Sequence, residues 1–174
     1  MKIEIQKYVL PAHAETAVYR QVEALAERLL GDLNEPQTIS RIAEANQPGN
    51  HSSKVQNAFL EFARAMGFES EKKGLFKDSG LALRPDYFLP IANTGILLEV
   101  ERGKTTINNM DLLDFWKCHL CGVANHLFLL VPIALRQNHE MRPKNEFVYV
   151  SRRLSQFFEP VKATNVHSLC LFGY

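Results

Sequence analysis

The stretch RPDYFLPIANTGILLEVERGK, residues 84–104, carries the decisive pattern of this chain. Two runs rich in aliphatic and aromatic residues, Tyr87–Ile91 and Ile96–Glu101, flank Ala92-Asn93-Thr94-Gly95, a turn composition, and so predict a β-hairpin. On a strand, residues two apart project from one face. Glu99 and Glu101 therefore point together, while Leu98 and Val100 point into a core. With Asn93-Thr94 as the tip of a two-residue turn, Asp86 falls almost opposite Glu101 on that same face. Three carboxylates so placed repel one another and raise each other's pKa. A hard divalent cation resolves the conflict through oxygen ligands, and such an ion can polarise a phosphodiester. The plain alternative is two exposed strand glutamates paired with Arg84, Arg102 or Lys104.

The neighbouring segments extend the pattern. Upstream, Ser52 or Ser53 caps a helix with Val55, Phe59, Phe62, Ala63 and Met66 on one face, ended by Gly67. Phe68–Lys72 reads as a short strand, followed by a polar loop through Gly74, Asp78 and Gly80. Downstream, Asn109 to about Cys121 fits a helix and His126–Val131 a buried strand. The order helix, strand, strand, strand, helix, strand predicts an α/β fold. Three strands pair as a meander, and a crossover helix brings a fourth in parallel, giving a mixed sheet flanked by helices. Farther out, Ala12–Leu30 carries Val18, Val22, Leu25 and Leu29 at helical spacing and stops at Gly31, and a second helix covers Ile39–Ala45. The tail predicts a strand near Phe147–Val150, a helical piece near Leu154–Phe158 and a last strand near Leu169–Phe172.

Composition narrows the class. The chain of 174 residues, 46% hydrophobic, suits a single globular domain. No apolar run approaches the roughly 18 residues that span a bilayer, and the charged opening Met1-Lys2-Ile3-Glu4 lacks a secretory h-region. Cys118, Cys121 and Cys170 are an odd set for a disulfide framework, and a reducing cytoplasm is expected. A net charge of +1 means that any nucleic-acid affinity must come from a local patch.

Arg84-Pro85-Asp86, a turn, then Glu99-Val100-Glu101, with the helix ending at Gly67-Phe68 before them, resembles the signature of the PD-(D/E)XK nuclease superfamily. The helix Asp111–Lys117 and the strand Leu127–Val131 fit the same pattern, and Glu99–Lys104 looks closest to a branch of type II restriction endonucleases. The likeness covers slightly under half the chain. It implies a restriction-endonuclease-like core over residues 53–131, a helical extension over 1–50 and added elements over 132–174. It also implies an endonuclease that hydrolyses DNA to 5′-phosphate and 3′-hydroxyl ends, using magnesium, with manganese as a substitute. Asp86, Glu99 and Glu101 are the implied metal ligands. Cleavage of duplex DNA needs two such centres, so a homodimer is expected.

The sequence departs from the signature at one position. Glu101 stands where the superfamily usually has lysine, and Lys104 or Lys117 could take over that role. Glu101 itself could orient the attacking water. Gln56, Asn57 and Glu61 of the preceding helix could add a metal or water contact. Cys118-x-x-Cys121, with His119 and His126 nearby, suggests zinc but lacks a second ligand pair at proper spacing. Arg136, Arg142, Lys144, Arg152 and Arg153 could contact phosphates or form a solvated face. The competing class is a module that binds DNA on this fold without turnover.

Overall fold

In a computed structural model the described residues are 2–70, 75–76, 80–81, 83–103, 105–136, 140, 142–160 and 163–174. Six strands form one sheet: β1 (Glu4–Val9), β2 (Glu69–Ser70), β3 (Tyr87–Ile91), β4 (Thr94–Val100), β5 (His126–Val131) and β6 (Ser168–Gly173). Their spatial order is β1-β6-β5-β4-β3-β2. The meander β2-β3-β4 is antiparallel, β4-β5-β6 is parallel, and β1 closes the far edge antiparallel to β6. Helices α1 (Ala17–Leu33), α2 (Pro36–Ala45) and α3 (Ser52–Ala65) precede the meander. Helix α4 (Met110–Leu120) makes the crossover from β4 to β5, and α5 (Glu146–Leu154) precedes β6. The expected mixed sheet flanked by helices is the observed one.

The central strand explains why the sheet is covered on both faces. Every residue of β5, from His126 to Val131, is buried. A parallel strand with helices on each side must read as a continuous apolar run. Phe128 and Leu130 face the core shared with α1, α2 and α3, together with Leu98 and Val100. Leu127 and Leu129 face the second core, together with Leu97, Phe115 and Leu171. Each such side chain contributes roughly 1.5–3 kcal/mol by leaving water. Glu99 lies between these cores on a strand whose neighbours are fixed, so its side chain has little freedom of placement.

Three local expectations change. The strand expected near Phe147–Val150 is part of α5. Its β-rich composition is overridden because Phe147, Val150 and Leu154 follow helical spacing and are buried, and Asn145 caps the first turn by accepting from the Val148 amide at 3.3 Å. Helix α1 starts later than expected and runs through Gly31 to Leu33. Its last turn is tied to β1 by Asn34, which accepts from Ile3 N and donates to the Ile3 and Leu30 carbonyls at 2.9–3.1 Å. The segment before Pro11 holds the edge strand β1, which had no assignment from sequence. On α1, Val22 and Leu29 are fully buried, so its apolar stripe is spent inside the molecule.

The β3–β4 hairpin leaves no room at Gly95. A Cβ there would stand 2.9 Å from the Leu89 carbonyl oxygen and 2.3 Å from Cε2 of Phe88. Phe88 could turn aside, but the paired backbone could not. Gly95→Ala is expected to destabilise the fold by about 1–3 kcal/mol, as overpacking does. Equilibrium urea unfolding measures it, and an unchanged midpoint would count against this close approach.

Candidate active site

The hairpin sets the positions of the acidic groups. Ile91 pairs with Thr94 and Tyr87 with Leu98, so the two-residue turn is Ala92-Asn93 and the tip lies one residue earlier than the sequence suggested. Thr94 is held in the strand because its hydroxyl donates to Asn125 Oδ1 at 2.8 Å and accepts from the Asn125 amide at 3.1 Å. The turn is made at the expense of a left-handed Ala92, with φ 49°. Asp86 consequently lies opposite Glu99 rather than Glu101. Two hydrogen bonds fix that relation: the Asp86 amide donates to Glu99 Oε2 at 3.1 Å, and the Val100 amide donates to Asp86 Oδ2 at 2.9 Å. From α3, Gln56 Nε2 reaches both Asp86 oxygens at 3.4 and 3.5 Å.

Lys117 completes the group from the crossover helix. Its Nζ donates to Glu99 Oε1 at 3.0 Å and to Asp114 Oδ1 at 2.8 Å. All three side chains are buried, Glu99 with 2% exposure and Asp114 with none. Lys104, the other lysine considered for this role, lies outside the described residues. Glu101 sits just past β4, where its amide extends the pairing to Leu130 O at 2.8 Å and its carbonyl accepts from the Tyr174 hydroxyl. Its side chain is partly buried beside Asp114. Asp114 Oδ2 is buried and receives no donor. Two acceptor-only carboxylates that face each other require a proton or a cation between them.

Asp114 was not singled out from sequence, although a signal for it exists. Asp111, Asp114 and Lys117 recur every three residues on α4, and all three are buried with Phe115 and Cys118. Charges on the core-facing side of a helix are uncommon unless paired or functional.

The electrostatics follow from one ammonium among four carboxylates. Burial pushes Glu99 well above the ordinary carboxylate range; the Asp114 and Asp86 charges add to the rise and Lys117 opposes it. Burial, then the charge of Asp114 and the hydrogen bond shared with it, carries Glu101 up to about 9. Asp86 and Asp114 are also raised by burial, with Lys117 opposing in both cases. Burial works against the charge of Lys117, but Glu99 and Asp114 outweigh it and hold the ammonium above the usual lysine value.

As the side chains stand, no three Asp, Glu, His or Cys groups among the described residues converge on one metal position. The reason is local. The Glu99 oxygens are engaged by Lys117 and by the Asp86 amide, and Asp86 Oδ2 by the Val100 amide. The four carboxylates nevertheless offer hard oxygen atoms in excess over the single ammonium, and Asp114 Oδ2 among them is buried without a donor. A cleft of about 430 Å³ opens beside it, lined by Gln56, Glu101, Arg102, His51 and Asn50. Arg102 shapes its rim by donating to the backbone carbonyls of Gln47 and Asn50. A cavity of about 500 Å³ lies farther out between Arg41, Glu44, Lys54 and Asn57, and the carboxylates do not line it.

Other sequence candidates fall elsewhere. Asn57 lines that outer cavity, and the exposed Glu61 pairs with Arg41 at 2.7 Å. Cys118 and Cys121 are buried in the apolar core under α4, where burial raises the Cys118 thiol well above its usual pKa. His126 turns away to Ser168 Oγ at 2.8 Å, so no zinc set assembles. Of the basic series, Lys144 pairs with buried Glu146, and Arg153 with buried Asp111 at 3.4 Å, while Arg142 and Arg152 are exposed.

Among solved structures the chain is similar to the restriction endonuclease BglII complexed with a DNA 16-mer. The identity is 14% and the TM-score 0.46, over 99% of this chain and 78% of that one. It is also similar to free BglII, at 12% identity and TM-score 0.41, over 99% and 79%. No protein-family model and no curated protein matches the sequence. Likeness this remote carries no weight for activity, and the site is read from its own geometry.

Glu101 gives a pH test. Its carboxyl is protonated up to about pH 9 in the folded chain but only to about 4.5 when unfolded. Between those values the native state binds more protons, so this stabilisation is complete below pH 4.5 and is lost as pH rises through 9. In chelator, the melting temperature is expected to fall from pH 5 to 9. Glu101→Gln should flatten that slope and melt higher than wild type at pH 9. A variant with an unaltered slope would show that Glu101 is solvated.

Proposed function

We propose that this chain is a divalent-metal-dependent endonuclease that hydrolyses phosphodiester bonds in DNA, of the PD-(D/E)XK type. The observation that carries the reading is the 3.0 Å contact between Lys117 Nζ and Glu99 Oε1, beside Asp86. It supplies from α4 the cation that the linear signature lacks at Glu101. Buried titratable groups with raised proton affinity beside a cleft are the usual mark of a working site.

Asp86, Glu99 and Glu101 would hold the cation, with Asp114 Oδ2 as a neighbouring acceptor. A divalent ion, when bound, supplies Lewis acidity toward the phosphate. Gln56 and the Val100 amide hold the Asp86 carboxylate in orientation. Lys117 donates toward a non-bridging phosphate oxygen and offsets the charge that develops there. Glu101, freed of its proton once positive charge enters the site, accepts a proton from the attacking water. The water oxygen bonds to phosphorus, the bond to the 3′ oxygen breaks, and that oxygen takes a proton from solvent. Cutting both strands of a duplex requires two such centres, and therefore a homodimer. We read the whole chain as one unit serving this site.

Incubation with supercoiled plasmid is expected to give cleavage in magnesium or manganese and none in chelator. Asp86→Ala and Glu99→Ala should each reduce the rate by at least about a hundredfold, since each removes a ligand. Lys117→Met should lower the rate while leaving the manganese-induced rise in melting temperature in place. Near-normal cutting by the Asp86 or Glu99 variant would overturn the site. DNA binding by wild type without cleavage in either metal would leave the non-enzymatic module.

A further inference from the structure

At the end of β4 opposite the carboxylates, three histidines meet beside the start of α1. His13 ends the short helical turn Pro11–His13 between β1 and α1, His126 opens β5, and His167 precedes β6. The rings of His13 and His167 stack at 3.6 Å with 12° between their planes, and His167 stands edge-on to His126 at 5.7 Å. With Thr16, Val18 and Asn93 they line a pocket of about 200 Å³. His126 is only 1% exposed. Its Nδ1 bonds Ser168 Oγ at 2.8 Å, which leaves Nε2 on the other edge of the ring. That nitrogen is buried and has no partner among the described residues. A buried polar atom left so is unfavourable until something bonds it.

We propose that this pocket binds a small tetrahedral oxyanion of the phosphate or sulfate class, held between His126 Nε2, the His13 and His167 rings and the first turn of α1. The surroundings fix the sign of the ligand's charge. Thr16 and Val18 bring the start of the 17-residue α1 to the pocket. Thr16 Oγ1 accepts the Tyr19 amide at 3.1 Å, while the amides of Ala17 and Val18 have no acceptor within the helix. These donors stand at the positive end of the helix dipole, where an anion is favoured. Among the described residues lining the pocket there is no carboxylate. Glu15, beside it in sequence, is exposed and pairs with Arg20 at 3.9 Å. Tyr19 and Cys170 are buried on the same side of the sheet, and burial raises both pKa values, so neither carries a charge. A metal cation is disfavoured because no three ligating groups among the described residues converge on one position. Donors reaching in from several separate elements suit a tetrahedral ion better than a planar carboxylate.

Binding must be coupled to protons. Burial, then the neighbouring His167 and His13, hold His126 down at about 4, and burial followed by His13 lowers His167. Before an ion binds, both rings are therefore mainly neutral at pH 7. A dianion beside them favours the imidazolium forms, and each proton taken up turns a weak contact into a charge-assisted hydrogen bond. Ser168 Oγ accepts from Nδ1–H as readily as it donates to Nδ1, so His126 keeps that bond when both ring nitrogens carry protons. Because His126 is almost closed to solvent, the half-buried His13–His167 pair shifts outward to admit the ion. Affinity should thus rise as pH falls. The pocket owes nothing to the nuclease reading.

The test is calorimetric titration of the intact chain in chelator, with sulfate as the probe because its charge is constant across the neutral range. At pH 6 one sulfate per chain is expected, and the affinity should fall at least about tenfold by pH 8. Buffers of different ionisation enthalpy should reveal proton uptake on binding, and nitrogen NMR of the imidazoles should show the His126 ring gaining its second proton. Inorganic phosphate run in parallel tells the two ions apart: tighter phosphate binding assigns the pocket to phosphate, and equal binding assigns it to either. His126→Gln and His13→Gln should each weaken sulfate at least about tenfold by removing a charge-assisted donor. His13 is half-buried, so its variant decides the matter should the buried His126→Gln fail to fold. Asp86→Ala, at the far end of the sheet, should bind sulfate as wild type does. No saturable sulfate or phosphate binding at pH 6, binding indifferent to His13→Gln, or binding lost in Asp86→Ala would overturn the proposal.

Discussion

Lys117 carries its positive charge in a place water barely reaches, and the acidic groups around it depend on that charge for their arrangement. A buried ion pair seldom stabilises a fold beyond what apolar residues of the same volume would achieve, yet removing one partner costs about 3–5 kcal/mol. The group is therefore locked once formed. A Leu or Met at position 117 would pack with less difficulty, so the lysine is held there by its two carboxylate partners against the cost of its own desolvation. The same logic orders the carboxylates. Glu99 has both oxygens committed, whereas Asp114 keeps one buried oxygen without a donor and Glu101, beside it, lines the cleft.

The scaffold delivers this arrangement through two connections. The β3–β4 hairpin brings Asp86 across from Glu99, and the crossover through α4 lays Lys117 over the same strand end. The start of α4 is itself pinned. Arg153 from α5 donates to Thr106 O and Asn109 Oδ1, and Lys144 bonds Thr106 Oγ1. Residues that looked like candidate phosphate contacts thus hold the loop before α4 and, through it, the position of the buried lysine.

Two of the core strands could be read from the sequence to the residue. Tyr87–Ile91 and His126–Val131 were bounded correctly because apolar runs and turn residues agree there. What failed was decided by long-range contacts. The register depended on Thr94 meeting Asn125, which is 31 residues away, so the turn slid by one position and moved Asp86 from Glu101 to Glu99. The Phe147–Val150 segment had strand composition, but its burial pattern and cap belong to a helix. Asp114 escaped notice because a carboxylate three residues before a lysine on a helix usually signals an exposed ion pair. Only the simultaneous burial of both reveals otherwise, and burial is not local information.

The placement of the ammonium on a helix rather than on the strand has a mechanical consequence. Lys117 Nζ reaches Glu99 on β4 and Asp114 on its own helix, so one side chain rivets the crossover helix to the strand beneath it. Any sliding of α4 along β4 would draw the ammonium away from Glu99 in a place where water cannot take over as partner, so helix and strand are bound to move as one body.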